Sequence, residues 1–208
     1  MEIKNAYNIW AKQYDSNENK TRDLDKKITQ IKLNNLNFTN ILELGCGTGK
    51  NTSWLLKKCN KILSVDFSEE MLKIAKNNIN SNKVKFMEAD ILEDWVFVDN
   101  FYDLIIFNLV LEHVKDLNYI FNQANKYLTK NGKIYICELH PFKQYIGSKA
   151  KYVNSDIINE LETYNHHISE FLTCAKNNNF KIKDLDEWFD DENSREIPRL
   201  ISFIFEKK

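Results

Sequence analysis

Ten residues decide the fold of this chain: Ile41-Leu42-Glu43-Leu44-Gly45-Cys46-Gly47-Thr48-Gly49-Lys50. An apolar run that contains an acid leads into three alternate glycines, and a helix-forming segment follows. Glycine at alternate positions takes backbone conformations that other residues avoid, and it lets a ligand approach the main chain with no Cβ in the way. Because three of the chain's five glycines lie in this one stretch, the pattern predicts a strand, a tight turn and a helix N-terminus that together hold a nucleotide.

The acid that accompanies such a turn comes at the end of the next predicted strand. Residues 61–65 form a short apolar strand pattern, and Asp66 follows about 20 positions after the turn, as in dinucleotide-type binding. The dinucleotide fingerprint, however, has glycine at the first, third and sixth positions, and the sixth position here is Lys50. Glu43, two residues before the first glycine, is poorly placed against a pyrophosphate and suits a cationic ligand. The spacing therefore disfavours a nicotinamide-dependent oxidoreductase.

Several stretches resemble one enzyme family. The run from Glu43 to Gly49 is similar to the first motif of the class I S-adenosylmethionine-dependent methyltransferases, in their small-molecule branch. Val65 to Leu72 resembles the second cofactor element, Glu88 to Ile91 the adenine-recognition element, and Asn108 to Val114 the fourth motif. Trp10 to Asp15 resembles a flap that covers the cofactor. The resemblance implies an α/β fold with a Rossmann-like, seven-stranded, mostly parallel sheet, helices on both faces and the last strand antiparallel.

The resemblance also implies S-adenosyl-L-methionine as the cofactor, with S-adenosyl-L-homocysteine as the product. It gives Asp66 the two ribose hydroxyls, Asp90 the exocyclic amine of adenine, and Asn108 a place beside the methionine end. An Asp66 that merely precedes a Ser68 helix cap is compatible with the same pattern. The expected cofactor-binding residues are Tyr14, Glu43, Gly45, Cys46, Gly47, Asp66, Phe67, Met71, Asp90, Ile91, Asn108, Leu109 and His113.

Hydrophobic periodicity predicts the remaining elements over a single domain, residues 1–208. Residues 1–35 are expected to form N-terminal covering helices, and residues 140–166 a lid or substrate insertion. Asn131-Gly132 reads as the stop of a helix over 117–128, before a strand over 133–139. Further helices are predicted at 52–58 and 167–178, and further strands at 83–87, 101–107, 180–188 and 198–205.

Aromatic and basic residues after the strand at 133–139 indicate where a substrate binds. We expect substrate contacts from Phe142, Tyr145 and Tyr152. A histidine with a pKa near neutrality is the natural base for a hydroxyl or amine acceptor, and His140 ranks before His113 for that role. A neutral histidine that packs under the lid is the alternative for either residue. No metal site is expected, since no third ligand joins the histidines and acids at a convincing spacing.

The composition limits the classes of molecule that the chain is expected to bind. The chain has 29 basic and 30 acidic residues, so no net field draws it to nucleic-acid phosphates or an anionic membrane. It lacks a membrane-length apolar run, and its four cysteines show no paired spacing. We therefore expect a cytoplasmic enzyme, a monomer or homodimer, that acts on a small-molecule substrate. A nucleic-acid (tRNA) or protein methyltransferase, and a non-catalytic module that only binds the cofactor, remain alternatives.

Overall fold

The computed structural model describes residues 3–154, 157–191 and 196–208. Its strands are β1 (Asn40–Leu44), β2 (Lys61–Asp66), β3 (Val84–Glu88), β4 (Tyr102–Asn108), β5 (Leu128–Leu139), β6 (Lys151–Asn154), β7 (Ile157–Glu160), β8 (Phe180–Trp188) and β9 (Leu200–Lys207). Its helices are α1 (Ile3–Tyr14), α2 (Lys20–Leu33), α3 (Thr52–Leu55), α4 (Glu69–Asn78), α5 (Leu117–Tyr127), α6 (Pro141–Tyr145) and α7 (Ile168–Asn177), with a 3-10 turn at Leu111–His113.

Seven strands form one sheet in the order β3-β2-β1-β4-β5-β9-β8. Strands β1 to β5 pair in parallel, whereas β9 runs antiparallel to both of its neighbours. The predicted fold class is thus confirmed, including the antiparallel last strand. The strand order reverses between β1 and β4, and in open parallel sheets ligands bind at the carboxyl ends beside such a reversal.

Apolar side chains cover both faces of the sheet. One buried cluster centres on Trp95, Phe107 and Phe121, while the other joins Ile28 of α2 to Tyr135 of β5. Strands buried on both faces are apolar at nearly every position, which is why the central strands read as continuous hydrophobic runs.

Two predicted boundaries are wrong. Helix α5 ends at Tyr127 and β5 begins directly at Leu128, so Asn131-Gly132 does not stop a helix. The pair lies inside β5, where the register against β4 shifts between Tyr102 and Leu104, and Asn131 takes a φ of 61°. A left-handed residue lets the longer strand bulge at this irregularity. The helix expected at 52–58 is also shorter, because α3 ends at Leu55.

Helix α1 crosses the carboxyl ends of the central strands. Asn8 accepts a hydrogen bond from Ser68 Oγ at 2.7 Å, after β2, and Lys4 pairs with Glu88 at the end of β3 at 2.6 Å. The hairpin of β6 and β7 lies beyond α1, and Leu161 after it packs on Trp10. The division into covering helices over 1–35 and an insertion over 140–166 stays a prediction. No helix in the described ranges is long and apolar enough to cross a membrane.

Candidate active site

The glycine turn between β1 and α3 leaves room for a ligand. Gly45 has a φ of 77°, and a Cβ there would meet Val110 at 2.7 Å, so only glycine fits between the turn and the segment after β4. Gly47 has a φ of 53°, and a Cβ built on it would have no heavy atom within 4 Å. The backbone at Gly47 therefore faces open space that a bound molecule can fill.

Asp66 fixes the shape of this turn from the end of β2. One carboxylate oxygen accepts from Gly47 N at 2.8 Å and the other from Ser68 N at 2.9 Å. Ser68 in turn caps α4 by accepting from Met71 N. Burial raises the pKa of Asp66 to about 6. The cap that the sequence left as an alternative is present, and Asp66 also lines a cavity.

That cavity, here called the main cavity, runs along the carboxyl ends of β1 to β4. Its wall contains Ile3, Tyr7, Tyr14, Gly45, Gly47, Asp66, Phe67, Met71, Ala89, Asp90, Ile91, Leu92, Asn108, Leu109, Val110, His113 and Val114. Of the residues expected to bind the cofactor, only Glu43 and Cys46 are missing from this wall. Both line the rear cavity, described below.

Glu43 is buried, and its carboxylate accepts hydrogen bonds from other residues of the chain. Its Oε2 accepts from Thr52 Oγ1 at 2.6 Å and from Ser64 Oγ at 2.7 Å, and burial raises the pKa of Glu43 to about 7. Burial likewise raises the pKa of the Cys46 thiol well above its ordinary value. These contacts brace the turn against α3 and β2, so the structure gives Glu43 and Cys46 no contact with the main cavity.

A smaller rear cavity continues from the main cavity behind the turn. The two cavities share Tyr14, Gly45, Gly47, Asn108 and Leu109. The additional walls of the rear cavity are Arg22, Asp25, Glu43, Leu44, Cys46, Thr48, Lys50 and Asn51.

Arg22 and Asp25 of α2 were missed by the sequence analysis. The Arg22 side chain is 7% exposed, its guanidinium donates to the carbonyls of Tyr14 and Asn17, and it lies 4.1 Å from the centre of the Tyr14 ring. Its Nε is buried with no hydrogen-bond partner in the described part of the chain. Buried charged residues are rare. The available signal was a polar stripe of Arg22, Asp25 and Thr29 at helical spacing beside the apolar stripe of α2.

A third, outer cavity lies on the other side of α1. It shares Tyr7, Tyr14 and Leu109 with the main cavity. Its other walls are Trp10, Asn19, Thr21, Arg22, Glu112, Leu139, Ile146, Gly147, Ser148, Lys149, Ala150, Lys151 and Arg199.

Glu112 is a buried carboxyl group in the wall of the outer cavity. It is 9% exposed, and its Oε2 is buried without a hydrogen-bond partner among the described residues. Burial raises the pKa of Glu112 to about 7, against a hydrogen bond from Gln144 that lowers it. A carboxyl with this pKa can exchange a proton near neutral pH. The sequence analysis quoted Glu112 within the fourth motif but gave it no role, because burial cannot be seen from the motif.

His113 lines the main cavity with both ring nitrogens engaged. Nδ1 lies 2.9 Å from the carbonyl of Glu162, and a carbonyl only accepts, so Nδ1 carries the proton. Nε2 then accepts from the Tyr7 hydroxyl, 2.9 Å away. Burial lowers the pKa of His113, which favours this neutral form. The pair ties α1 to the 3-10 turn, and a role of His113 as base stays a prediction.

His140 does not reach any of the three cavities. It is fully buried and caps α6, where Nδ1 accepts from Phe142 N at 3.1 Å and Nε2 pairs with Glu187 at 3.0 Å. Burial lowers its pKa. This placement contradicts the expectation that His140 is the base at the pocket mouth, and it matches the alternative of a packed neutral histidine.

The residues of α6 that were expected to contact the substrate also lie outside the three cavities. Phe142 and Tyr145 are more than half exposed and line none of the three cavities, and the Tyr145 hydroxyl lies 2.5 Å from His167 Nδ1. The segment 146–151 that follows them lines the outer cavity instead. Tyr152 lies in β6, and its side chain is outside the described part of the chain.

Comparison with known families supports one assignment. The family described as "Methyltransferase domain" matches residues 42–136, which run from β1 into β5 and contain the glycine turn, Asp66, Asp90 and Glu112. Over this segment, just under half of the chain, the protein resembles the class I S-adenosylmethionine-dependent methyltransferases. The resemblance implies S-adenosylmethionine as the cofactor.

Individual relatives match different lengths of this chain. The ubiquinone biosynthesis O-methyltransferase of Pelagibacter ubique (strain HTCC1062) is 26% identical over 172 residues, 80% of this chain and 68% of the relative. The malonyl-[acyl-carrier protein] O-methyltransferase of Priestia megaterium (strain DSM 319 / IMG 1521) is 34% identical over 140 residues, which cover 64% of this chain. The match spans 49% of that relative's length.

Solved structures share the fold of this chain. The complex named DhpI-SAM-HEP superimposes with a TM-score of 0.77 at 18% identity, over 98% of this chain and 95% of the other. A S-adenosylmethionine-dependent methyltransferase from Clostridium acetobutylicum ATCC 824 gives a TM-score of 0.71 at 20% identity, over 98% of each chain.

The residues present fit this cofactor. Open space faces the backbone at Gly47, apolar side chains wall one part of the main cavity, and a carboxylate stands at the end of β2. The rear cavity adds a buried guanidinium and a buried carboxylate, Arg22 and Asp25. This donor set suits a nucleoside with a zwitterionic amino-acid end.

Proposed function

We propose that this protein moves the methyl group of S-adenosylmethionine to a small-molecule acceptor that binds in the outer cavity. One observation carries the proposal: the outer and main cavities are neighbours that share Tyr7, Tyr14 and Leu109 as wall residues. The bound cofactor supplies an activated methyl group on its sulfonium. The chain then has to bind the two molecules, align them and keep water out.

Within the main and rear cavities, each part of the cofactor has a candidate partner. Asp66 would accept from the ribose hydroxyls and Asp90 from the exocyclic amine of adenine, and Phe67 and Ile91 would pack against the adenine ring. Arg22 holds the carboxylate of the amino-acid end, since a guanidinium offers five N–H donors and only two are used by Tyr14 and Asn17. The placement of these side chains in the walls of two neighbouring cavities supports the assignment.

On the acceptor side, Glu112 takes the proton. An acceptor hydroxyl or amine would lose its proton to the Glu112 carboxylate as its oxygen or nitrogen bonds to the methyl group. The methyl–sulfur bond would break with its electron pair left on sulfur, which gives S-adenosylhomocysteine, and the carboxyl would then release the proton to solvent. The buried, unpartnered Oε2 and the pKa of about 7 support this role, because a base works best near the operating pH. Glu112 therefore replaces His140 as the proposed base.

Several features support a small acceptor. The Pelagibacter and Priestia relatives are named for ubiquinone biosynthesis and for malonyl-[acyl-carrier protein] O-methylation. Three of the four basic side chains around the outer cavity are paired with acids: Lys149 and Lys151 pair with Glu160, and Arg199 pairs with Asp190. Paired cations make a poor track for nucleic-acid phosphates.

The test combines binding with transfer. Calorimetry should show binding of S-adenosylhomocysteine and no binding of NAD. Radioactive methyl from S-adenosylmethionine should then enter members of a panel of small hydroxyl, carboxyl and amine acceptors, in preference to tRNA or a protein extract. Label found mainly in tRNA or protein would favour the macromolecular alternatives. Cofactor binding without transfer in any fraction would favour the non-catalytic module.

A further inference from the structure

One buried hydrogen-bond network joins α2 to the end of β4. Asn108, the last residue of β4, donates from Nδ2 to Asp25 Oδ1 at 2.5 Å and to Thr29 Oγ1 at 2.9 Å. Asp25 also accepts from Asn51 Nδ2 at 3.0 Å. Both hydrogens of the Asn108 amide are therefore used on the side of α2. Its Oδ1 is buried and has no hydrogen-bond partner within the described ranges.

The partners leave one orientation for this amide. A carboxylate only accepts hydrogen bonds, so Asp25 attracts Nδ2 and repels Oδ1. Thr29, which is fully buried, offers its hydroxyl oxygen as the second acceptor for Nδ2. A rotated amide would place Oδ1 against the Asp25 carboxylate, which has no hydrogen to donate, and would lose the bond to Asp25. Asn108 therefore turns its carbonyl oxygen away from α2, at a position where the residue lines both the main and the rear cavity.

We propose that Asp25 is a positioning residue that holds Asn108 Oδ1 as the acceptor for the ammonium group of the cofactor's amino-acid end. The inference rests on the proposed cofactor site and deepens it. An ammonium group donates three hydrogen bonds and accepts none, so it needs an oxygen at this place. A buried carbonyl oxygen without a partner supplies that oxygen, and the negative charge of Asp25 behind it adds a favourable field.

In this arrangement, helix α2 provides the residues that recognise the charges of the ligand. Arg22 and Asp25 lie three residues apart on the same helix and border the same cavity, one for each charge of a zwitterion. Both residues lie outside the matched family segment 42–136. The enzyme should therefore prefer ligands that keep the amino-acid end over nucleosides that lack it.

Three ligands separate the contributions by calorimetry. S-adenosylhomocysteine carries both charges, decarboxylated S-adenosylmethionine carries the ammonium without the carboxylate, and methylthioadenosine lacks the amino-acid end. Asp25→Asn should weaken binding of the first two by about 10-fold to 100-fold, the range for a hydrogen bond to a charged group. Methylthioadenosine should bind the variant within about twofold of the wild type, and this also verifies that the site is folded.

A double variant tests whether Asp25 acts through Asn108. Asn108→Ala should weaken S-adenosylhomocysteine about as much as Asp25→Asn, and adding Asp25→Asn to Asn108→Ala should cost no further affinity. Asp23→Asn is the matched control, since Asp23 lies on the same helix with an exposed side chain paired to Lys50.

Each remaining outcome overturns the proposal. Equal losses for all three ligands would mean that Asp25 only supports the fold of the site. Additive losses in the double variant would mean that Asp25 does not work through Asn108. If wild-type protein failed to bind S-adenosylhomocysteine, the proposed function would fail as well, and the two failures are thereby distinguishable.

Discussion

The Tyr7 hydroxyl on α1 lies 2.9 Å from His113 Nε2 on the 3-10 turn. This contact joins residues 106 positions apart and crosses the top of the main cavity. Burial raises the pKa of Tyr7 well above its ordinary value and lowers that of His113, so both groups are neutral and the hydroxyl donates to the ring. Helix α1 is thus held over the site by a buried hydrogen bond as well as by apolar packing.

Removing the Tyr7 hydroxyl should weaken the attachment of α1 over the main cavity. Tyr7→Phe leaves His113 Nε2 buried and unpaired, which should lower the free energy of unfolding by about 1 to 3 kcal/mol. It should also speed dissociation of S-adenosylhomocysteine, because α1 closes the main cavity. Urea denaturation and stopped-flow dissociation measure the two effects. Tyr164→Phe is the control, since its hydroxyl donates to the exposed Glu162. An unchanged dissociation rate in Tyr7→Phe would argue against α1 as the gate.

Asp66 is expected to carry part of the cofactor's binding energy. Asp66→Ala should weaken S-adenosylhomocysteine by about 1.5 to 3 kcal/mol, the value of a hydrogen bond to a charged group. The variant should also lose some stability, since Gly47 N and Ser68 N lose their acceptor. Calorimetry gives the affinity, and Asp99→Ala, an exposed acid paired with Lys85, serves as the control. Unchanged affinity would reduce Asp66 to a residue that shapes the turn.

Glu112 and His140 should behave differently in transfer assays. Glu112→Gln should lower kcat by about 10²-fold to 10⁴-fold, the usual contribution of general acid–base catalysis, with cofactor affinity unchanged. His140→Gln should lower stability, because it removes a buried cap of α6, while kcat stays near the wild-type value. Steady-state kinetics with an acceptor from the small-molecule panel measures both. A larger loss of kcat in His140→Gln than in Glu112→Gln would indicate that His140 is the base, as the sequence analysis expected.

The pH dependence of transfer follows from the same carboxyl. Glu112 acts as a base only when it is ionised, so the wild-type rate should rise with pH and level off above its pKa of about 7. The Glu112→Gln variant should lack this rising limb. A rising limb that persists unchanged in the variant would show that another group controls the rate.

Glu138 should make stability fall with pH in the free protein. Its side chain is buried, and burial raises its pKa from 4.5 to about 8 although it accepts from Val110 N and Leu111 N. Between these values the folded protein keeps a proton that the unfolded chain has lost. Stability from this group is therefore fully present below pH 4.5 and is lost as pH rises toward 8, by at most about 1.4 kcal/mol per pH unit.

Urea denaturation at pH 5, 7 and 8.5 can check this slope, which Glu138→Gln should flatten. Glu206→Gln is the control and should leave the slope unchanged, because hydrogen bonding to Lys181 lowers the pKa of Glu206 and its pH dependence therefore lies below this window. An equal slope in wild type and Glu138→Gln would show that Glu138 is ionised in the folded protein.

The sequence predicted local features well and their surroundings poorly. Asn179, which follows the helix predicted at 167–178, has a φ of 63°, because asparagine tolerates the left-handed conformation better than most residues. Asn131 has the same property, but whether it stops a helix or bulges a strand depended on its pairing with β4. His140 was placed correctly after a strand end, yet the turn into α6 directs its ring toward Glu187 rather than toward a cavity.

By itself the sequence determined the parallel sheet, the glycine turn and the acids at two strand ends, Asp66 and Asp90. These features follow from short-range rules, since alternate glycines set the turn and parallel strands bring their carboxyl ends together. Only the tertiary structure decided which charged groups are buried beside the cavities. Arg22, Asp25 and Glu112 acquire their roles from partners and neighbours far away in the chain, such as Asn108, which lies 83 positions from Asp25. Burial and pairing depend on how separate elements pack, and no local pattern of residues encodes that packing.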